Sequence, residues 1–384
     1  MERSEPPYTY KLWTGLSVIA SCLRRKCVLN WGTTPIYPNM YVVLVGPSGK
    51  CRKGTAMGPG LRFLQDMGIK MTANSITREA LIRELKQSND TQIDAKTGEM
   101  FLHASLTIFS KELTVFLGYN NQNLMSDLTD WYDCDNIWVY RTKNMGTDEI
   151  IGVWVNFIGA TTPEMIQTAL PRDTIGLGLT SRIIFVFEHN KDHIEPADFQ
   201  TKEEMELQKV LARDLERIAI MSGEFHATAG FIELYSNWYV TYSKGPMPFD
   251  DYRFSGYFER RPTHLRKLCM ILSASRGDSK LIEERDFVRA LGILELTEKN
   301  MKYTFSGMGK NNQVDVMQRV IATISAAGCI EFSDLLRRFI QDIDKFLLEK
   351  MVESLVSMGV ITVDYSNGHK LIVYCDKQAL FGKG

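Results

Sequence analysis

Apolar runs separated by amphipathic segments dominate the first half of the chain. Runs typical of buried strands lie at 40–45, 105–109, 155–160 and 183–187. Apolar residues at helical spacing lie between them, at 56–67, 77–87 and 125–132. Strands that alternate with helices predict an α/β fold with a parallel sheet. In such a sheet we expect the ligand site at the carboxyl ends of the strands.

Weaker patterns fill the intervals between these strands. We predict short strands at 26–31 and 68–73 and a polar loop at 88–99. Alternating residues at 137–141 and 150–155 flank a polar, glycine-bearing tip, which is typical of a β-hairpin. The second arm of this hairpin is expected to continue into the next buried strand.

After Glu188 the pattern predicts no further strand until the C-terminal segment. Residues 201–300 have helical periodicity, and 306–313 have the composition of a linker. Beyond it we predict three helices and a strand pair, at 314–326, 331–340, 345–358, 360–365 and 370–375. This is the layout of a winged helix. The expected regions are a lead-in (1–39), a core (40–190) with its hairpin (137–155), a helical region (191–305) and a winged helix (314–384).

Composition restricts the possible partners. The chain has 384 residues, of which 44% are hydrophobic and 24% charged, as in ordinary globular proteins. With a net charge of −1, any contact with nucleic acid must come from a local basic patch. The 7 cysteines are scattered without a C-x-x-C pair, which predicts reduced thiols and neither disulfides nor a zinc site. We expect a cytoplasmic protein with no membrane partner.

A glycine-rich basic segment follows the strand at 40–45. It comprises Gly46, Pro47, Ser48, Gly49, Lys50, Cys51, Arg52, Lys53, Gly54 and Thr55. Backbone N–H groups of such a loop cradle phosphates, and a lysine reaches the β- and γ-oxygens. We therefore assign the whole segment to nucleotide binding, Lys53 also to catalysis, and Thr55 also to Mg²⁺.

The spacing of this loop departs from the usual phosphate-binding motif. Gly46 lies seven positions before Lys53, and Gly54 occupies the place of the hydroxyl that normally holds Mg²⁺. Thr55 follows one position late. An ordinary strand–turn–helix connection is the alternative, although such a turn has no need of three cations.

Three residues at strand ends could complete a site for γ-phosphate hydrolysis. That reaction needs a carboxylate to orient water, a polar group near the γ-phosphate and a cation for the transition state. Glu112, Thr162 and Arg182 supply these groups, and Ser110 is a second candidate ligand for Mg²⁺. We expect the turn before Arg182 to be exposed, so that the guanidinium can enter a neighbouring subunit's site. Alternatively, Glu112 is a solvated first-turn residue, Thr162 a helix cap and Arg182 a surface charge.

The predicted hairpin carries candidate contacts for DNA. Arg141, Lys143 and Asn144 lie near its tip, with Trp138 and Tyr140 on the preceding arm. Cations beside aromatic rings suit a single-stranded backbone. Acidic residues on the second arm offset the positive charge of Arg141 and Lys143. The alternative is therefore a surface hairpin whose charged side chains bind no DNA. The winged-helix segment has equal numbers of basic and acidic residues, which leaves both DNA and protein open as its partner.

The order of these features resembles an AAA+ ATPase. It runs from the loop through Glu112, the hairpin and the strand ending at Thr162 to Ser181-Arg182 before the last strand. The hairpin is similar to the insertion before the sensor strand in minichromosome maintenance (MCM)-type and superfamily 3 helicases. The segment 260–268 resembles the MCM lid, whose sensor arginine contacts the nucleotide. Short segments such as Arg52-Lys53-Gly54-Thr55 also resemble the sequences of uncharacterised P-loop proteins of phage and prophage replication modules.

The resemblance, which covers about residues 10–300, implies a P-loop NTPase core with a helical lid and a winged helix behind it. It implies ATP and Mg²⁺ as cofactors and Arg261 and Arg266 as nucleotide-binding residues, with Arg260 an alternative sensor. It also implies a hexameric ring around single-stranded DNA, in a replicative helicase of a phage or mobile element inside a bacterial cell. The alternatives are an ATPase that loads or remodels a partner, and a nucleotide-gated DNA-binding initiator. Ser110-Lys111 stand before Glu112 where the family has an aspartate, which weakens the expected Mg²⁺ contacts.

Overall fold

The computed structural model describes residues 4–374 apart from 74, 94–97, 99, 119–120, 143–145, 171–177, 197–198, 250, 306–311, 341–342 and 367–368. The chain forms two compact units, Met1–Gly307 and Met308–Gly384. In the described residues no helix is long and apolar enough to cross a membrane.

The first unit contains an α/β core. Its helices are α1 (Tyr8–Leu23), α2 (Lys53–Asp66), α3 (Arg78–Gln87), α4 (Leu113–Leu117), α5 (Gln122–Asp133), α6 (Pro163–Ala169), α7 (Lys202–Ile220), α8 (Ala229–Lys244), α9 (Ser255–Arg276) and α10 (Glu284–Met301). Its strands are β1 (Cys27–Trp31), β2 (Thr34–Ile36), β3 (Tyr41–Val45), β4 (Asn89–Ile93), β5 (Met100–Ser110), β6 (Ile137–Thr142), β7 (Gly146–Ile151), β8 (Val153–Thr161), β9 (Ile183–Phe187), β10 (Gly223–Ala227) and β11 (Leu281–Ile282).

The central sheet has the strand order β4-β5-β8-β3-β9. Strands β5, β8, β3 and β9 are parallel, which confirms the predicted parallel sheet. Every residue of β3, β8 and β9 is buried, because helices cover both faces of a parallel sheet. Since β8 lies between β3 and β5, the segments that follow these three strands meet at one edge.

Two predictions next to this sheet were wrong. The predicted strand at 68–73 makes only an isolated parallel bridge between Met71 and Thr107. The predicted polar loop at 88–99 contains β4, which pairs with β5 in antiparallel fashion. Strand β4 is an edge strand whose residues alternate between exposed and half-buried, so it carries no apolar run to identify it.

A second sheet has the order β11-β10-β1-β2, so the prediction of no strand between Glu188 and the C-terminal segment was also wrong. Strand β10 pairs in parallel with β1, with Cys27 opposite Gly223. Both β10 and β11 are short, and Glu224 and His226 interrupt the apolar pattern of β10. This sheet joins the N-terminal residues to the helical region within the first unit.

The predicted hairpin is confirmed as β6 and β7, paired from Ile137 opposite Ile151. Its second arm spans Gly146–Ile151 and not 150–155 as predicted. Residues 153–155 belong to β8 instead, because Gly152, with a φ of 63°, separates the two strands.

The hairpin packs against α3 and α5. Arg78 pairs with Asp127 at 2.6 Å and covers the Tyr140 ring at 4.7 Å, and Lys86 pairs with Asp148 at 2.9 Å. The hairpin is thus fixed to the core along its arms.

The second unit contains three helices and a three-stranded antiparallel sheet of order β12-β14-β13. Its elements are α11 (Asn312–Ala327), β12 (Cys329–Glu331), α12 (Phe332–Phe339), α13 (Lys345–Ser357), β13 (Ile361–Ser366) and β14 (His369–Tyr374). The predicted helices and strand pair are confirmed, and β12 is additional. Buried side chains such as Val320, Leu335, Leu348 and Ile372 form its own core.

Candidate functional site

Residues 46–52 connect β3 to α2 at the carboxyl edge of the central sheet. Arg52 precedes the helix in a left-handed conformation (φ 52°), and no side chain caps α2 there. The first N–H groups of a helix lack intrahelical partners. An uncapped helix start beside a glycine-rich loop is suited to an anion.

The loop begins in a close contact that only glycine fits. A Cβ on Gly46 would lie 2.6 Å from Tyr10 Oη, 2.8 Å from Glu188 O and 2.9 Å from Cys51 Sγ. Tyr10 Oη donates to Val45 O at 2.5 Å, and Cys51 Sγ donates to Glu188 O at 3.2 Å. Helix α1 and the end of β9 therefore hold the start of the loop in place.

Glu188 supports the loop through its side chain as well. Its carboxylate accepts from Thr9 Oγ1 at 2.8 Å and from Asn300 Nδ2 at 3.2 Å. Burial raises the pKa of Glu188. Residues from α1 and α10 thus support one side of the loop.

Lys53 is the first residue of α2, and its side chain folds back across the loop. Its Nζ donates to Gly46 O at 2.6 Å and to Pro47 O at 3.4 Å. Burial lowers the pKa of Lys53, while the negative charges of Glu112 and Glu164 act in the opposite direction. Lys53 therefore lies within electrostatic range of carboxylates that follow β5 and β8.

The other two cations of the loop differ from Lys53. Arg52 Nε donates to Glu5 at 2.8 Å, and Lys191 also pairs with Glu5. Hydrogen bonding from Lys191 lowers the pKa of Glu5 to about 2. Lys50 is exposed.

The end of β5 places Glu112 at this edge with its side chain exposed. Glu112 precedes α4 but makes no capping hydrogen bond with its side chain, so its carboxylate is not used in the local fold of α4. Ser110 is buried, and its Oγ donates to Glu112 O at 3.0 Å. A cavity of about 460 Å³ lies beside these residues, lined also by Gln65 and Thr72.

The end of β8 contributes Thr162 and Glu164. Thr162 caps α6, because its side chain accepts from the N–H of Met165 at 3.4 Å. The capping alternative is therefore confirmed for Thr162. Glu164 lies exposed in the first turn of α6. The sequence analysis missed Glu164, whose only signal was a carboxylate directly after Pro163.

Lys53, Glu112, Thr162 and Glu164 thus come from three neighbouring strand ends. Thr55 and Gly54 are exposed in the first turn of α2. Among the residues that the structure describes, no group of three or more His, Cys, Asp or Glu could hold a metal ion.

No known protein family matches this chain, and no characterised protein is significantly similar to it in sequence. The function is therefore inferred from the side chains at the carboxyl edge of the central sheet, and from Arg182, the arginines of α9 and the hairpin.

Arg182 does not have the predicted exposure. Its side chain is 8% exposed; it pairs with the Asp133 carboxylate and donates to Gly178 O at 3.1 Å. It precedes β9 and so lies at the amino edge of the sheet, away from the loop. A buried guanidinium needs such partners, and nothing in the sequence indicated that Asp133 approaches it. The predicted exposure of the turn before Arg182 was therefore wrong, because Thr180, Ser181 and Arg182 are all buried.

The predicted nucleotide-binding arginines of α9 also have other partners. Arg261 pairs with Glu298 at 2.6 Å, and both side chains are 4% exposed. Arg266 lies over the rings of Trp31 (5.3 Å) and Tyr235 (5.7 Å). Arg260 Nε donates to Ser181 Oγ at 3.1 Å, at the amino edge of the sheet. These contacts do not bring the arginines to the loop, which corrects the assignment of Arg261 and Arg266.

The predicted DNA-binding residues of the hairpin differ in their exposure. Arg141 is exposed, and its Nε donates to Thr147 Oγ1 at 3.1 Å. Trp138 and Tyr140 stack on each other with ring centroids 6.1 Å apart. Lys143 and Asn144 lie outside the described residues. Trp138 lies against Trp131 of α5 and Tyr140 lies under Arg78 of α3, so both rings face the core. Because side chains alternate along a strand, Arg141 lies on the opposite face of β6.

Proposed function

We propose that the chain is a phosphate-loop ATPase of the AAA+ kind that acts on DNA as a ring-forming, MCM-like motor of a phage or mobile element. The observation that carries this proposal is the convergence at one sheet edge. An uncapped helix start, Lys53, Glu112 and Thr162 come from three adjacent strand ends. This arrangement supports binding of a triphosphate.

Both the backbone amides and Lys53 of the loop would contact the phosphates of ATP. The amides of 46–52 and of the start of α2 would hold phosphate oxygens, and Lys53 would exchange its carbonyl acceptors for them. Glu112, exposed and not used as a cap, is available to orient water. Mg²⁺, when bound, would neutralise phosphate charge, with Thr55 and Ser110 as the candidate ligands.

The proposed action on DNA depends on the hairpin and on the second unit. Exposed Arg141, near the hairpin tip, supports a contact with a DNA phosphate, whereas Trp138 and Tyr140 pack toward α5 and α3. The order of helices and strands in 312–374 supports a winged helix. With Arg182 buried, the proposal includes a hexamer but assigns no arginine to a shared site.

A nucleotide-gated DNA-binding initiator is a second candidate, favoured by one observation. Gly54, at the position of the usual Mg²⁺ ligand, lacks a hydroxyl, and the predicted ligand Ser110 directs its own to a backbone carbonyl. Such a protein would bind ATP and change its affinity for DNA without fast turnover. A third candidate, a loader or remodeller, would hydrolyse ATP without unwinding DNA.

Single-turnover phosphate release and forked-DNA unwinding separate these functions. We expect Glu112→Gln to keep its affinity for ATP and to lose about 100-fold in hydrolysis, because the amide cannot act as a base toward water. Glu206→Gln, which changes an exposed carboxylate of α7 paired with Lys209, is the matched control and should retain the wild-type rate. Equal rates in wild type and Glu112→Gln would contradict the role of Glu112. ATP binding without any hydrolysis in the wild type would favour the initiator, and hydrolysis without unwinding would favour the loader.

A further inference from the structure

A cavity of about 930 Å³ lies where the second sheet passes the base of the hairpin. We name it the hairpin-base cavity. Its lining includes Arg25, Lys26, Phe101, Ile137, Glu224 and Lys280. Arg25 Nη1 donates to Val153 O at 2.8 Å, at the start of β8. The hairpin-base cavity therefore lies at the amino edge of the central sheet, away from the phosphate loop.

Positive charge exceeds negative charge in this lining. Among its described residues Glu224 is the only acid, and Asn30 Nδ2 already donates to it at 2.9 Å. Lys280 Nζ donates to Ser222 O at 2.7 Å, and Lys26 Nζ donates to Ala219 O. An ammonium has three donors, so one carbonyl does not saturate either lysine. Burial lowers the pKa of Lys26 to about 8; the charge of Arg24 acts in the same direction and that of Asp90 in the opposite one.

The rim of the cavity is apolar and partly aromatic. Phe101 is 39% exposed, and Leu102, Ile137 and Ile151 are more exposed still. These side chains would offer a flat surface to a planar ring. A ligand that contacts both rim and lysines needs a planar part and an anionic part.

An unused acceptor lies beside the aromatic rim. Gln92 is directly opposite Phe101 in the β4–β5 pairing. Its Oε1 is buried and has no hydrogen-bond partner among the described residues. A buried acceptor without a donor is unfavourable, so a ligand that brings an N–H group to this position would be stabilised.

We propose that the hairpin-base cavity binds a nucleoside phosphate, either free or within single-stranded DNA. Its phosphate contacts Lys26 and Lys280, and its base lies on Phe101 with an N–H group directed to Gln92. The volume is in the range of roughly 300–1,000 Å³ that small-ligand pockets occupy. Because Ile137 and Ile151 close the base of the hairpin, a strand held by the hairpin would enter the cavity. The proposal extends the DNA-binding part of the proposed function and does not depend on ATP.

The test measures binding of 5′-fluorescein hexathymidylate by anisotropy, without ATP or Mg²⁺. We expect Phe101→Ala and Lys280→Ala each to weaken binding about fivefold or more. Phe199→Ala and Lys209→Ala remove an exposed ring and an exposed ammonium elsewhere and should bind as wild type does. Lys53→Ala should also bind normally, so that failure of the ATP site and failure of this cavity give different results.

Two further measurements keep the result interpretable. Phe101→Leu keeps an apolar side chain but removes the ring, and its thermal unfolding by circular dichroism shows whether the fold is intact. Competition by dTMP would identify a free nucleotide as a ligand, whereas binding of hexathymidylate that dTMP does not displace would identify the polynucleotide; either supports the proposal. Wild-type affinity in folded Phe101→Leu and in Lys280→Ala would overturn it. Displacement of hexathymidylate by inorganic phosphate as effectively as by dTMP would also overturn it, because the cavity would then recognise only an anion.

Discussion

At the carboxyl edge of the central sheet, the Lys53 ammonium is held by backbone carbonyls and Glu112 is exposed, whereas the arginines of α9 contact carboxylates and rings. Lys53 contacts Gly46 O and Pro47 O, groups that a phosphate could replace. Arg261 instead forms a buried pair with Glu298. The difference lies in the partners of the two cations: backbone carbonyls for Lys53, and a buried carboxylate for Arg261.

The largest effect is expected for the buried ion pair between α9 and α10. Arg261→Met should lower the free energy of unfolding by about 3–5 kcal/mol, because it leaves the Glu298 carboxylate buried without its counter-charge. Arg285→Met is the matched control, since Arg285 is 63% exposed beside Glu283 and should cost less than about 1 kcal/mol. Urea unfolding followed by tryptophan fluorescence measures both, and all 6 tryptophans lie in the first unit. Equal losses in the two variants would remove the distinction between buried and exposed arginines.

A smaller loss of stability is expected at the loop. Gly46→Ala should cost about 1–3 kcal/mol, because the added Cβ would meet Glu188 O and Tyr10 Oη. The control is Gly54→Ala, which meets nothing within 4 Å in the first turn of α2. That change should be neutral or stabilise by up to about 1 kcal/mol. A Gly46→Ala protein as stable as Gly54→Ala would show that the start of the loop is not held as the contacts indicate.

The smallest effect concerns the exposed side of the loop and depends on pH. Because the pKa of Glu5 falls from 4.5 to about 2 on folding, the carboxylate contributes stability above pH 4.5. That contribution is lost as the pH falls through about 2. Glu5→Gln should therefore have a shallower loss of stability between these pH values, measured by acid unfolding with tryptophan fluorescence. Glu206→Gln, at an exposed pair with Lys209, should keep the wild-type slope; an unchanged slope in Glu5→Gln would contradict the pairing with Lys191 and Arg52.

Burial of whole strands explains which parts of the fold were predictable. The runs in β3, β8 and β9 are apolar throughout because both faces are covered, so periodicity found them. Strands β4 and β10 were missed because short strands with polar residues have no such run. Their place in the sheet depends on partners that are distant in the chain.

The candidate site, like the strands, was predictable only where it depends on local sequence. Local patterns located the loop, Glu112 and Thr162, because each directly follows a buried strand. The partners of Arg182 and Arg261 could not be predicted, since Asp133 and Glu298 approach them only in the folded chain. Glu164 was missed because a carboxylate in a helix's first turn has a sufficient local explanation.

Binding of a fluorescent ATP analogue tests the phosphate loop most directly. Lys53 is the loop lysine at the helix start and within range of Glu112, whereas Lys50 is exposed. The account predicts that Lys53→Ala abolishes binding and that Lys50→Ala, the matched control in the same loop, only weakens it. Equal affinity in the wild type and in Lys53→Ala would contradict the account.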